Sequence, residues 1–427
     1  MPNAAEEKTQ PCPACGAEIR ADARFVIWCA SCDWNVDPAP EEEHNRLDRA
    51  RRALARKHGE KLLAEMTDGE NLRARRDAPS VLAYVIALAV HGVTVVLASA
   101  GAWCLLSGWG VPGMVLGGIL LVAAWVLRPR PPGLPEDALV LHRTDAPELY
   151  ALVDQVAQVV GTRGADLIAV DAEINASVMS YGLHGRRLLT LGVPLWETLT
   201  PQQRIALLGH ELGHYSNGDT RHGLVVSTAY RSLTTWLYYF APIARPSALD
   251  MVVNVLYVVP RLLVHGVLSL LDHLTLRATQ RAEYLADREA ARAASTEAAV
   301  GLMDRLLTTD SVAVTLRREA NNAALTGPRN TRKADAGTDE LWKRLAAHMA
   351  SVPEHEYERQ RRVGARRGHS VDSTHPPTHL RRTCLLSGAP TPAAVVTDGE
   401  RENRIAAELA DARSKVARRI AREGFDG

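Results

Sequence analysis

The chain has 427 residues, with 50 Lys+Arg against 49 Asp+Glu and a formal net charge of +1. That balance excludes a nucleic-acid binder working through bulk positive charge, and it excludes an acidic disordered scaffold. Hydrophobic residues at 46% suffice for a buried core, and a mean hydropathy of -0.12 conceals one strongly apolar stretch.

Four of the six cysteines open the chain as Cys12-Pro13-Ala14-Cys15 and Cys29-Ala30-Ser31-Cys32. Two C-x2-C knuckles bring four thiolates to one tetrahedral ion at small loop cost, which predicts a zinc ribbon over residues 1–40. Iron in a rubredoxin-like site and disulfide pairing are the alternatives. So small a unit has too little core to fold without metal, so its zinc is read as structural. Trp28 and Trp34 are its candidate exposed aromatics, suited to a protein partner, with capping of the ribbon's small core as the alternative; nucleic acid is not expected as a partner. Cys104 and Cys384 read as packing residues.

Residues 41–77 form a charged linker. Leu47, Ala50, Leu54, Leu62 and Met66 recur at near-helical spacing among Arg46, Arg49, Arg51, Arg52, Arg56 and Lys57. This predicts a solvated amphipathic helix with an attraction for anionic headgroups.

From Ala78 to Leu127 there is no Asp, Glu, Lys or Arg. One helix of that length would run about 75 Å, against a hydrocarbon core of about 30 Å. The Gly/Pro-rich segment from Ser107 to Gly113 divides the run. The expectation is a transmembrane hairpin over 78–127, with helices at Ser80–Leu106 and Val111–Leu127. Trp103, Trp109 and Trp125 fall near helix ends, as interfacial anchors do. Arg73, Arg75 and Arg76 precede the hairpin, Arg128 and Arg130 follow it, and the turn is uncharged. The positive-inside rule then puts both flanks in the cytoplasm.

Pro147–Val160 reads as an amphipathic helix, and Leu167–Val170 and Leu188–Leu191 as short strands. Thr200-Pro201-Gln202-Gln203 combines an N-cap Thr, a first-turn Pro and a Gln three residues on. The helix it opens carries His210-Glu211-Leu212-Gly213-His214. Positions i and i+4 share one helix face, so His210 and His214 can reach one ion, while Glu211 beside them can act on water as general base. A catalytic zinc needs a third protein ligand and an open position. Glu283 is the best candidate because Asp287, one turn on, can accept the free ring N–H of a zinc-bound histidine. His222, Asp272 and His273 compete without such a second acid.

The interval between the ligands is apolar but interrupted by Arg231, Arg245, Asp250 and Arg261. Two further spans and a hairpin at the membrane surface both keep His214 and Glu283 on one side. Beyond it, Ala298–Leu307 reads as a helix, Thr326–Asp339 as a polar loop, and Glu402–Glu423 as a solvent-exposed helical tail.

His210-Glu211-Leu212-Gly213-His214 with the distant Glu283-x-x-Ala286-Asp287 resembles the membrane-embedded gluzincins of the HtpX and CAAX prenyl protease type. Ser373-Thr374-His375-Pro376-Pro377 followed by Arg381 is similar to that family's His-Pro and Arg element. Asn175-Ala176 is similar to its substrate-pairing edge strand. The resemblance covers roughly residues 130–390. It implies a zinc endopeptidase acting on protein or peptide substrates, with His375 as oxyanion donor or substrate positioner, Arg381 as a supporting charge, and Asn175 and Ala176 offering backbone bonds to substrate.

The expected fold is mainly α with a small β-sheet: a membrane-anchored gluzincin-type metalloprotease domain, an N-terminal zinc ribbon and a transmembrane hairpin. The domains are drawn at 1–40, 41–77, 78–127, 128–390 with an apolar insertion at about 222–275, and 391–427. One catalytic and one structural Zn2+ are expected, in a multi-pass protein of the cell membrane with a cytoplasmic N-terminus and catalytic domain. The competing reading is a non-proteolytic membrane scaffold or receptor with structural zinc sites and a partner-binding ribbon.

Overall fold

The computed structural model describes residues 8–22, 24–38, 53, 57, 59–65, 78–135, 138–182, 184–216, 219–326, 331–367 and 376–425. The chain is mainly helical, with two small sheets. In the ribbon, β1 (Lys8–Pro11) and β2 (Glu18–Ala21) pair antiparallel, with Lys8 opposite Ala21.

Helices α1 (Ala78–Leu106) and α2 (Gly110–Leu127) form the expected hairpin. Their backbones touch: a Cβ on Gly117 would lie 2.8 Å from the Gly101 carbonyl oxygen. Small residues allow this approach, which is the usual seam between helices in lipid. The large apolar side chains point outward instead. Val95, Val96, Leu106, Val111 and Trp125 are each more than 60% exposed. An apolar surface of that extent marks an interface with something other than water.

The second sheet runs in the order β3-β4-β6-β5, with β3 at Leu139–Leu141, β4 at Leu167–Asp171, β5 at Ala176–Tyr181 and β6 at Arg186–Gly192. β4 and β6 are parallel and the other pairs antiparallel. This leaves β5 on the edge. Helix α3 (Pro147–Val160) buries Leu149, Val153, Val156 and Val160 against the sheet side of the core. After the short α4 (Val193–Thr198) comes the metal-motif helix α5 (Pro201–Ser216). Its start is the capping box read from the sequence: Gln203 N donates to Thr200 Oγ1 at 3.3 Å and Thr200 N donates to Gln203 Oε1 at 3.0 Å.

The apolar insertion folds as α6 (Asp219–Tyr239) and α7 (Ala248–Ala294). The two pack against each other, with the Tyr230 hydroxyl donating to Asp272 at 2.9 Å, but the second runs far beyond the first. α7 is one continuous helix that runs through Pro260 and onward to Glu283 and Asp287. Its apolar part, 248–271, is about 36 Å long, against a hydrocarbon core of about 30 Å. Ala229, Leu233 and Trp236 of α6 pack against Ala83, Ala87 and Val90 of α1 and Val264 of α7. Among the described residues, α1, α2 and α7 are the helices long and apolar enough to cross a membrane, and they point to membrane association.

Helices α8 (Thr296–Leu306), α9 (Thr309–Thr326), α10 (Thr331–Ala350), α11 (Glu354–Arg367), α12 (Thr378–Ser387), α13 (Gly399–Glu408) and α14 (Ala410–Glu423) complete the chain. Three expectations change here. The polar stretch expected as a loop to Asp339 is helical from Thr331. The expected exposed tail is two helices whose Ile405, Leu409, Val416 and Ile420 enter the main core. The Glu408 carboxylate accepts the Glu148 and Leu149 amides at 2.8 and 3.0 Å, so it caps α3 where the helix dipole favours an anion. Thirdly, Trp28 is buried rather than exposed and lies under the Arg362 guanidinium; Trp34 packs in the ribbon's own small core.

The linker also docks. The 59–65 segment is helical. Its Leu62 is buried among Tyr284, Leu380 and Cys384, the Tyr284 hydroxyl donates to the Gly59 carbonyl at 3.2 Å, and Arg277 donates to Glu65 at 3.0 Å.

The contact that positions everything else is α5 against α7. A Cβ on Gly209 would lie 3.0 Å from Ala290 Cα, and one on Gly213 would lie 3.0 Å from Ala286 Cα. Gly213→Ala is expected to be near neutral, because about 1 kcal/mol of helix propensity offsets the tight contact. Gly213→Val adds methyl groups with no space for them and should cost about 1–3 kcal/mol. Thermal unfolding with zinc analysis checks this: the valine variant should melt lower and hold less metal, the alanine variant neither.

Candidate metal centre

His210 and His214 lie one turn apart on α5 and face α7. Their Nε2 atoms are 3.3 Å apart. A tetrahedral ion with bonds of about 2.05 Å would separate two ligand nitrogens by about 3.3 Å. Glu283 reaches in from α7, with Oε2 3.5 Å from His210 Nε2 and Oε1 3.5 Å from His214 Nε2. One ligand atom from each of the three residues lies within 4.8 Å of the others, so together they could hold a metal ion. The third-ligand candidates that competed with Glu283 do not join them: Asp272 accepts from the Tyr230 hydroxyl at 2.9 Å and His273 is exposed. The His222 side chain lies outside the described residues.

Asp287 sits behind His210, with Oδ1 3.0 Å from His210 Nδ1. That is the carboxylate–imidazole contact expected of it, and it leaves Nε2 turned toward the centre. Arg381, on α12, forks onto the same carboxylate: Nε donates to Oδ2 at 2.8 Å and Nη2 to Oδ1 at 2.6 Å. Its Nη1 lies 3.5 Å from Glu283 Oε2. Asp287 and Arg381 are 1% and 2% exposed. Burial alone works against the Arg381 charge, and the Asp287 carboxylate more than restores it, lifting its pKa above the usual arginine range. Burial and the Arg381 charge also oppose an imidazolium at His210, yet Asp287 and Glu283 outweigh both and hold its pKa up to about 10. Carboxylates that pull this hard on a proton favour any cation placed between them.

Glu211 follows His210 on the same helix and, at 7% exposed, lines a cleft of about 500 Å³ together with His210, His214 and Glu283. The edge strand forms one wall, from Asn175 and Ala176 to Ser180, and Leu302, Met303 and Leu306 of α8 form another. Tyr215 ties α5 to the edge strand, since its hydroxyl donates to the Met179 carbonyl at 2.9 Å. His375 lies outside the described residues.

The second cluster is the ribbon's. Cys12 Sγ lies 3.8 Å from Cys32 Sγ, and Cys15 Sγ lies 3.6 Å from Cys29 Sγ. Four thiolates at about 2.3 Å from zinc stand about 3.8 Å apart. All four cysteines are free thiols, so disulfide pairing is not formed. Ala14 N points at Cys12 Sγ at 3.4 Å, the knuckle geometry that steadies a thiolate. Burial would raise the Cys29 thiol, but the backbone amides of Cys32 and Ser31 outweigh it and bring the pKa to about 6. The Trp34 amide favours the Cys32 thiolate, but desolvation and the neighbouring thiols oppose further anions there and push its pKa up to about 12, a crowding of charge that a bound cation would relieve.

Motif spacing finds neither the contact that holds the centre from behind nor the tie from α5 to the edge strand. The Asp287–Arg381 fork spans 94 positions, and Tyr215 differs in no visible way from a core tyrosine. Arg381→Met should cost roughly 3–5 kcal/mol, because it leaves a buried carboxylate unpaired. Arg381→Lys should recover only part of that, since an ammonium cannot make the fork. Denaturant unfolding of both variants checks the order wild type, Lys, Met.

Neither the curated proteins nor the solved structures yield a match to this chain. The family model described as Peptidase family M48 matches residues 143–387, more than half of the 427 residues and the whole of the His210–His214–Glu283 centre. The chain therefore belongs to peptidase family M48, the zinc-dependent metallopeptidases.

Proposed function

We propose that this protein is a membrane-anchored zinc endopeptidase that hydrolyses peptide bonds of protein substrates at the cytoplasmic face. The observation that carries the reading is the convergence of His210, His214 and Glu283 beside a cleft that also holds Glu211. His210, His214 and Glu283 would hold the zinc. When bound, zinc supplies a Lewis acid that polarises a carbonyl and lowers the pKa of water. Glu211 takes the proton from the attacking water and later delivers it to the leaving amine. Asp287 fixes the His210 ring, and Arg381 acts through Asp287 and Glu283 as a positioning residue.

Substrate would extend the sheet at β5. The edge position of that strand and its place in the cleft wall support pairing through backbone groups from Asn175 and Ala176 onward. An extended segment bound in this way is cut within the chain, which favours endopeptidase action.

For the membrane we take α1, α2, α6 and α7 as a four-helix unit. α6 is less apolar than its neighbours, but α1 and α7 pack against it and Arg231 lines the cleft. Its polar side chains are provided for locally: Ser227 and Arg231 line the cleft, and the Thr228, Ser232 and Thr234 hydroxyls donate to carbonyls one turn back on the helix. Because α6 leaves the centre and α7 returns to it, both or neither must cross. Arg128 stacks on Trp125 at 3.6 Å, at the end of the hairpin, as an interfacial pair would. With the Arg-rich flanks inside, the centre faces the cytoplasm. The linker and the tail both dock on the peptidase unit, so we count them with it.

Glu211→Gln should retain fold and zinc and lose cleavage by at least ~10²-fold, the lower end of a general acid–base contribution. Comparing proteins that accumulate intact in membranes carrying the variant against wild type both tests the activity and traps substrates. Equal profiles would reject the endopeptidase reading. Chelation should abolish cleavage by the wild type, and added zinc should restore it.

A further inference from the structure

Helix α11 is held in an unusual way. Among its fourteen residues the apolar side chains are Tyr357, Val363 and Ala365, while eight are Arg or Glu. A helix so polar has no stripe with which to enter a core, and most helices in proteins owe their stability to such a stripe. On one side α11 is tied to the peptidase unit by ions: Arg361 forks onto Asp304 of α8 at 2.9 and 2.7 Å, and Arg305 donates to the Tyr357 hydroxyl at 2.6 Å. On the other side its partner is the ribbon.

Four arginines of α11 reach the ribbon. Arg359, 8% exposed and already forked onto Glu356, donates to the Val36 carbonyl at 2.9 Å. Arg362 donates to the Ala30 carbonyl at 2.7 Å and to Asp33 at 2.6 Å. Arg366 takes the other Asp33 oxygen at 2.8 Å, and Arg367 takes Asp37 at 2.6 Å. Every acceptor lies between Ala30 and Asp37, in and just after the second cysteine knuckle. That loop has its shape from the knuckle: Asp33 N donates to the Cys29 carbonyl at 2.9 Å, Cys29 N donates to the Trp34 carbonyl at 3.0 Å, and Asp33 and Asn35 take left-handed φ of 58° and 55°. Asp and Asn are the side chains that tolerate that conformation best, so the loop sequence suits the knuckle's shape.

The far end of α11 leads toward the metal centre. The Asp304 carboxylate that takes Arg361 also takes Arg382 of α12 at 2.9 Å. The residue before it is Arg381, which forks onto Asp287. α11 and α12 thus share one anchor, next to the guanidinium that braces the zinc ligands.

We propose that the ribbon is a zinc-dependent clasp on helix 354–367 of its own chain, so that metal at the four cysteines sets how firmly the Arg381 segment is held. Zinc shapes the 29–37 loop, the loop presents its carbonyls and carboxylates to the four arginines, and the arginines hold α11 and, through Asp304, α12. The partner of the ribbon is this arginine face, and its removal loosens the Arg381 segment from a distance.

The test is hydrogen exchange by mass spectrometry on the full chain in lipid discs, a readout that does not depend on whether the protein cleaves peptides. Wild type is compared with Cys15→Ser/Cys32→Ser and with Asp33→Ala/Asp37→Ala. The cysteine variant should lose the ribbon zinc and exchange about tenfold faster over 354–367, with 376–387 following and 201–216 unchanged. The aspartate variant should keep the zinc and show the same pattern at smaller amplitude. Unchanged protection of 354–367 in a zinc-depleted ribbon overturns the clasp. Faster exchange at 354–367 with none at 376–387 overturns its coupling to Arg381. Where the cysteine variant does not fold, the aspartate variant decides on its own: a rise at both segments supports the proposal and no rise overturns it.

Discussion

Two helices can share one small ion only if their backbones come close enough for a histidine and a glutamate to meet. α5 and α7 meet this condition through what they lack. Gly209 and Gly213 face Ala286, Ala290 and Ala293 across a seam with no room for larger side chains. The glycines and the histidines occupy neighbouring faces of the same turns, so the seam that brings the helices together also sets the distance from His210 and His214 to Glu283. Other contacts brace that seam. Gln202 at the start of α5 donates to the carbonyl of Ala294 at the end of α7 at 2.7 Å, and the sheet and the α13–α14 pair close the opposite side of the core.

Close approach concentrates charge. Glu283, Asp287 and Arg381 are all nearly excluded from water. A buried carboxylate is costly unless a cation and hydrogen bonds compensate for the lost hydration. Arg381 supplies this for Asp287 in a two-bond fork and lies at longer range from Glu283. Asp287 is thereby held as an anion that orients His210, and Glu283 keeps its oxygens turned to the histidines. An arginine suits the position because it stays charged when buried and presents a planar pair of donors.

Legibility in the sequence followed the range of the interaction. The histidine spacing, the Thr200 capping box and the two cysteine knuckles are patterns within a few residues, and the chain could be read at each of them. The hairpin was legible because uncharged length is itself a physical constraint in lipid. Glu283 was found because its companion Asp287 lies one turn away. Arg381 came from a motif resemblance, and its fork onto Asp287 could not, since no local pattern links positions so far apart. The helix from Thr331 carries too few apolar residues for its periodicity to stand out from a loop. The apolar stripe of the final helices was visible, but a stripe does not say what will cover it. The arginines of α11 and the linker around Leu62 read as solvated surface for the same reason: charge and amphipathic pattern record what a face is made of, not what lies against it.

The unbroken course of α7 has a mechanical consequence. Pro260, within its apolar half, and Glu283 are about 35 Å apart along the helix axis. A rod pivoting near Pro260 by about 5° would carry the carboxylate sideways by about 3 Å, more than the length of a bond to zinc. Whatever sets the inclination of the apolar half therefore acts on the ligand geometry through a lever. The glycine seam and the Leu62 strap are the bearings that keep this lever still.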